Sequence, residues 1–166
     1  MTDELLHIDQ KIIEILKTVS DPEIPVLSIV DMGVVRAAKI INGIVEVQIT
    51  PTYSGCPAMD VIGDDIISAF NQNGLKAKVE LVLSPAWTTD WITPKGRAAL
   101  EKYGIASPLS ADADKEALLG NKKIVKCPQC GSLNTKLVSQ FGSTACKALF
   151  QCDDCLEPFD YFKCLK

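Results

Sequence analysis

One histidine, His7, stands among 166 residues. Cysteine–histidine or serine–histidine catalysis has nothing else to draw on, and His7 lies beside Ile8 in a helical pattern, where it is expected to face solvent. No run approaches the about 18 apolar residues that a membrane-spanning helix needs. The opening "MTDELLHIDQ" is acidic and lacks the basic and apolar regions of a signal peptide. There is no excess of basic charge either. Net charge is −4; residues 1–103 hold nine basic against fourteen acidic groups, residues 104–123 are neutral, and residues 124–166 carry +1. Nucleic-acid binding therefore has little electrostatic support. The G-x-x-x-x-G-K-[ST] phosphate loop is missing, as are internal repeats and low-complexity tracts. These absences predict a cytoplasmic protein that takes neither nucleic acid nor membrane as partner.

What is present is cysteine. Seven occur, and in a reducing compartment they point to metal binding or thiol chemistry rather than disulfides. Cys127 and Cys130 in "KCPQCGS" are followed by Cys152 and Cys155 in "FQCDDCLEP". Two residues between cysteines let the chain turn so that both sulfurs face one ion. Two such knuckles at the ends of a hairpin supply four thiolates in a tetrahedron. Structural zinc is the expected occupant, with iron or an iron–sulfur cluster as the minority alternative. Cys146, in the small-residue loop "FGSTACKALF", and Cys164, in "DYFKC", remain over. They fit either buried apolar positions or additional metal ligands, and spacing alone leaves both open.

Upstream, Leu5, Ile8, Ile12, Ile15, Leu16 and Val19 recur at helical spacing. "SDPEIPVLSIVDMGVV" holds Pro22 and Pro25 and excludes one regular element. "VVRAAKIINGIVEVQIT" reads as a hairpin turning at Asn42-Gly43. Residues 57–73 read as a helix with Pro57 first and Gly74 after its end, and 76–83 as a strand. Thr93-Pro94 starts a short helix reaching Tyr103. The fold class is α+β: a small mixed three-stranded sheet covered by helices in the order α-β-β-α-β-α, plus a zinc-ribbon β module at 124–166. Residues 1–103 form the first domain, and 104–123 read as a linker with room for one short helix. Trp87 and Trp91 flank a loop and suit core packing or a partner surface.

The seventh cysteine, Cys56 in "PTYSGCP", stands alone at a predicted helix start. Such an end favours an anion, so a thiolate there could hold a soft metal or act as a nucleophile; on position alone an inert buried thiol is the favoured reading. Asp21 and Glu23 in "DPEIP" offer oxygen ligands or turn caps.

"SDPEIPVLSIVDMGVVR" followed by "VEVQITPTYSGCPAMDVIGDDI" resembles a small domain family of iron–sulfur cluster assembly factors, over residues 8–103. The matching positions are Asp21, Pro22, Glu23, Thr50, Gly55, Cys56 and Pro57. The resemblance implies that Cys56 is a transient ligand for iron or a cluster, with Asp21, Glu23 and Thr50 in the loops around it. One departure is Tyr53-Ser54, where the family commonly has Pro-Gly before the cysteine. "CPQCGS", "FGSTACKALFQC" and "EPFDYFKC" extend a likeness over the whole chain to a family of bacterial accessory proteins of phenylacetate degradation. That likeness implies a non-catalytic factor that assembles, inserts or repairs the iron–sulfur or di-iron centre of the multicomponent phenylacetyl-CoA monooxygenase (epoxidase). Its partners would be the monooxygenase subunits, including the iron–sulfur reductase. A zinc-ribbon adaptor and a thiol redox protein are the alternatives, and the sequence leaves a homodimer open.

Overall fold

A computed structural model describes residues 9–120 and 124–163; the predictions for Leu5, His7, Ile8 and Cys164 lie outside the described residues. The chain forms two compact units. One comprises residues up to Trp87 with Trp91–Gly96, and the other Thr88–Asp90 with residues from Arg97 onward.

In the first unit, α1 (Gln10–Lys17) starts where Asp9 accepts a hydrogen bond from the Lys11 amide. It buries Ile12, Ile15 and Leu16 and packs on α2. The proline-rich segment that follows is a series of turns. The Asp21 carboxylate organises it by accepting from the Glu23 and Ile24 amides at 2.8 and 2.9 Å. Strands β1 (Val35–Ile41) and β2 (Ile44–Ile49) pair antiparallel. Asn42 and Gly43 both take positive φ, 50° and 79°, as a two-residue hairpin turn demands. The crossover helix α2 (Ala58–Gln72) leads to β3 (Lys76–Leu81), which pairs parallel with β2. Sheet order is β1-β2-β3, the predicted mixed sheet. Val45, Val47 and Ile49 turn one face of β2 inward, and Ile62, Ile66 and Phe70 of α2 are fully buried. Each such side chain contributes about 1.5–3 kcal/mol by leaving water.

Trp87 is core, its indole N–H donating to the Met32 carbonyl at 3.0 Å. Trp91 lies under the Arg36 guanidinium, 3.6 Å from the ring centroid. Gly33, at φ +76°, abuts Trp91 so closely that a Cβ would sit 2.6 Å from it. Thr93 caps α3 (Pro94–Tyr103) through the Gly96 amide and donates to Asp31, which also accepts from Ser28.

The second unit holds a sheet of order β4-β7-β6-β5. Its strands are β4 (Ile105–Ala106), β5 (Thr135–Ser139), β6 (Lys147–Cys152) and β7 (Pro158–Phe162). The segment read as a linker thus forms β4, pairing parallel with β7, and helix α4 (Ala111–Leu118). Ile105 and Ala106 are buried, and two residues are too few to display a strand period. The core joins Phe150, Phe159, Tyr161, Ala148 and Val125 to Cys127 and Cys152. Phe150 stacks on Phe159 and meets Tyr161 edge-on, with centroids 6.0 and 5.5 Å apart. Among the described residues, no helix is long and apolar enough to cross a membrane.

Candidate functional site

The four predicted ligands converge. The sulfurs of Cys127, Cys130, Cys152 and Cys155 lie within 4.8 Å of one another. Cys127 to Cys155 is 3.7 Å and Cys130 to Cys152 is 3.6 Å. A tetrahedron with zinc–sulfur bonds of about 2.3 Å has edges of about 3.8 Å, so the sulfurs fit a closed zinc shell.

The two knuckles repeat one backbone design. Cys127 N–H donates to Ser132 and Cys152 N–H to Glu157, five residues on, at 2.9 and 3.0 Å. The residue after each second cysteine turns left-handed: Gly131 at φ 77° and Leu156 at φ 65°. This brings backbone amides onto the sulfurs. The Ser132 amide favours a Cys130 thiolate, but desolvation and the Cys152 and Cys127 thiols outweigh it, and Cys130 titrates above its ordinary range. The Glu157 amide likewise opposes desolvation and three neighbouring thiols at Cys155, which is pushed up to about 12. At Cys152 the Cys155 amide outweighs desolvation; with help from the Asp154 amide it brings the thiol down to about 7. All four sulfurs can be thiolates this close together only around a shared cation.

Cys56 is half-buried, and its carbonyl accepts from the Met59 amide at 3.3 Å. Helix α2 begins at Ala58 with Pro57 as its cap rather than its first residue, so the thiol sits just ahead of the helix. Gly55, at φ +81° with open space where a Cβ would be, turns the chain there. Ser54 and Gly55 are exposed and Tyr53 is half-buried. Thr50 is 1 % exposed, and its hydroxyl has no hydrogen-bond partner among the described residues. Asp21 lines a groove of about 400 Å³ with Pro22, Pro25, Asp65, Ser68 and Gln72. Asp65 lies about two helical turns after the start of α2 at Ala58. Glu23 is exposed.

Cys146 is buried outside the four-sulfur cluster, 3.1 Å from the Thr144 hydroxyl. Two buried lysines missed by sequence reasoning stand near it. Lys147 pairs with Asp160 at 3.6 Å, and Lys163 donates to the Gln140 carbonyl and lies 4.2 Å over the Phe141 ring. Burial lowers the Lys163 pKa, partly offset by the negative charge of a Cys146 thiolate. Arg97, Ser107 and Lys126, also missed, line a cavity of about 410 Å³ that reaches Cys127. No sequence spacing links those positions.

Comparison with known proteins matches residues 9–81 to a family described as iron–sulfur cluster assembly protein, and residues 111–163 to the PaaD zinc beta ribbon domain. A protein of Escherichia coli (strain K12), provisionally named as one of the subunits of 1,2-phenylacetyl-CoA epoxidase, is 49% identical over 152 residues, 91% of this chain and 90% of that protein. An Fe-S protein maturation auxiliary factor of Porphyromonas gingivalis (strain ATCC BAA-308 / W83) is 33% identical over 103 residues, 60% of this chain and 97% of its own length. The crystal structure of a domain of unknown function, DUF59, from Bacillus anthracis superposes with a TM-score of 0.51 at 26% identity, covering 54% of this chain and 88% of that one.

Proposed function

The chain belongs to the family that joins an iron–sulfur cluster assembly domain to a PaaD zinc beta ribbon, and from this premise we propose that it is a non-catalytic maturation factor for the multicomponent phenylacetyl-CoA monooxygenase. Its cargo is iron or an iron–sulfur cluster, delivered to the iron–sulfur reductase or the di-iron oxygenase during assembly, insertion or repair.

The observation that carries this reading is the placement of Cys56. One half-buried thiol precedes a helix and is not one of the four clustered sulfurs. One protein thiolate binds a soft ion weakly, and weak binding suits a carrier that must let go. The unpaired Thr50 hydroxyl, directly after β2 in the segment leading to Cys56, is a candidate to support the cargo. Asp21 is engaged in shaping its own loop, and its role is to position rather than to ligate.

Zinc in the ribbon would be held by Cys127, Cys130, Cys152 and Cys155. A closed four-thiolate shell leaves no open position and supplies folding energy rather than reactivity. Exposed Leu133, Val138, Phe141 and Leu156 on the same unit support a role for the ribbon in engaging the client.

The test is complementation of a deletion strain. Cys56→Ala should leave the protein folded and zinc-loaded while the client monooxygenase stays metal-deficient and inactive. Full recovery of client activity and metal content with Cys56→Ala would remove the carrier role. Spectroscopy after anaerobic iron and sulfide loading separates the two cargoes: a visible chromophore lost with Cys56→Ala identifies a cluster.

A further inference from the structure

The outer edge of β3 carries a pattern that the carrier reading does not use. β3 pairs with β2 on one side, and among the described residues no strand covers the other. The hydrogen-bond phase of that edge is fixed. Ile49 lies opposite Leu81 in the parallel ladder, and its carbonyl accepts from the Val82 amide at 2.8 Å. Alternate residues of a paired strand turn their N–H and C=O to the same neighbour. The even-numbered residues of this strand therefore face β2, and Ala77, Val79 and Leu81 present theirs outward. An incoming antiparallel strand must meet these three with its own outward residues.

The side chains narrow the choice further. Ala77, Val79 and Leu81 lie on the sheet face shared with Val45, Val47 and Ile49; Lys76, Lys78 and Glu80 lie on the other. Lysines on an edge strand deter pairing in general. Glu80, two residues beyond Lys78, makes this strand its own complement. When a second copy's β3 lies antiparallel about a two-fold axis through Val79, Lys78 stands opposite the second copy's Glu80, and Glu80 opposite its Lys78. Leu81 then meets Ala77, and Leu83 meets Leu75. Leu81 and Leu83 are 51% and 61% exposed in the single chain. Sliding the register by two residues in one direction sets Lys78 against Lys78 between two Lys76–Glu80 pairs, and in the other sets Glu80 against Glu80; the register centred on Val79 is the one of the three with no like-charged pair. Odd-numbered slides put outward groups against inward ones. The charged positions are non-hydrogen-bonded pairs, where opposing side chains come closest. They extend a row that already runs Lys39, Glu46, Lys78 across β1, β2 and β3.

We propose that this protein forms a homodimer by antiparallel pairing of β3 with β3 of a second copy, in the register centred on Val79, fusing two three-stranded sheets into one. The pairing is independent of which cargo Cys56 takes.

The test uses the full chain in sedimentation equilibrium. Wild type is expected at twice the chain mass. Lys78→Glu places two glutamate pairs face to face, and Glu80→Lys places two lysine pairs, so each variant alone should associate about tenfold or more weakly. Mixed in equal amounts, the two variants should form a heterodimer, because every facing pair is again opposite in sign. The combined Lys78→Glu/Glu80→Lys chain should dimerise like wild type. Recovery in the mixture also shows that both variants are folded. A wild type that is monomeric at every concentration, a dimer indifferent to both substitutions, or variants that stay monomeric when mixed would each overturn the proposal.

Discussion

Replacing Gly131 by alanine tests how backbone conformation sets metal affinity. Gly131 follows the second cysteine of the first knuckle at φ +77°, and a Cβ added there meets only the Lys126 Cε at 3.4 Å. That atom lies near the end of a flexible, exposed side chain, so the cost is conformational rather than steric. The left-handed region costs a non-glycine residue about 1–2 kcal/mol. Because the knuckle takes this shape to hold the ion, the cost falls on metal binding, which weakens about five- to thirtyfold at 1.4 kcal/mol per factor of ten. The assay is zinc competition against a chromophoric chelator at fixed pH. The second knuckle supplies an internal control: Leu156, already at φ 65° and 69% exposed, bears the same strain. Leu156→Gly should tighten zinc binding by up to about tenfold, less the extra freedom glycine has in the unfolded chain. Equal zinc affinity in wild type and Gly131→Ala would refute the reasoning.

Three further outcomes follow from the same structure. Zinc affinity should fall by more than about tenfold per pH unit as pH drops from neutral, measured by competition. Cys155 at about 12 and Cys130 above its ordinary range keep their protons at neutral pH without a cation, so binding must displace more than one; a pH-independent affinity would contradict this. Asp31→Ala strips the Ser28 and Thr93 hydroxyls of their shared acceptor, and thermal melts should show a loss of about 1–3 kcal/mol. Phe70→Ala empties a fully buried position on α2, and urea titration should show a loss of about 3–5 kcal/mol with zinc content unchanged.

The parts of the fold governed by local chemistry were legible in the sequence. Asn42-Gly43 announced the hairpin, Thr93 the start of α3, and the alternation of Val45, Val47 and Ile49 the inward face of β2. The paired cysteines announced the four-sulfur cluster, because a two-residue gap is a local constraint. What was hidden depends on distant partners. β4 is two residues long and owes its existence to β7. Leu156 adopts a backbone conformation normally reserved for glycine, and nothing in "CDDCLEP" signals it except the parallel with Gly131. Buried Lys147 and Lys163 look like surface residues until Asp160, Gln140 and Phe141 close around them. The helix read over 57–73 is shorter by one residue at each end, since Pro57 and Asn73 cap α2 from outside it, and the strand read over 76–83 ends at Leu81.

The pairing of Ile105 with Asp160 bears on the order of events during synthesis. The chain emerges from its N-terminal side at a finite rate, so β4 waits, exposed and unpartnered, while the whole ribbon is made. Cys127 and Cys130 emerge first, and Cys152 follows Cys130 only 22 positions later. During that interval only half a coordination shell is available, and a two-thiolate site holds an ion far less firmly than the finished four. Metal capture and closure of the second sheet therefore fall late in the life of the nascent chain.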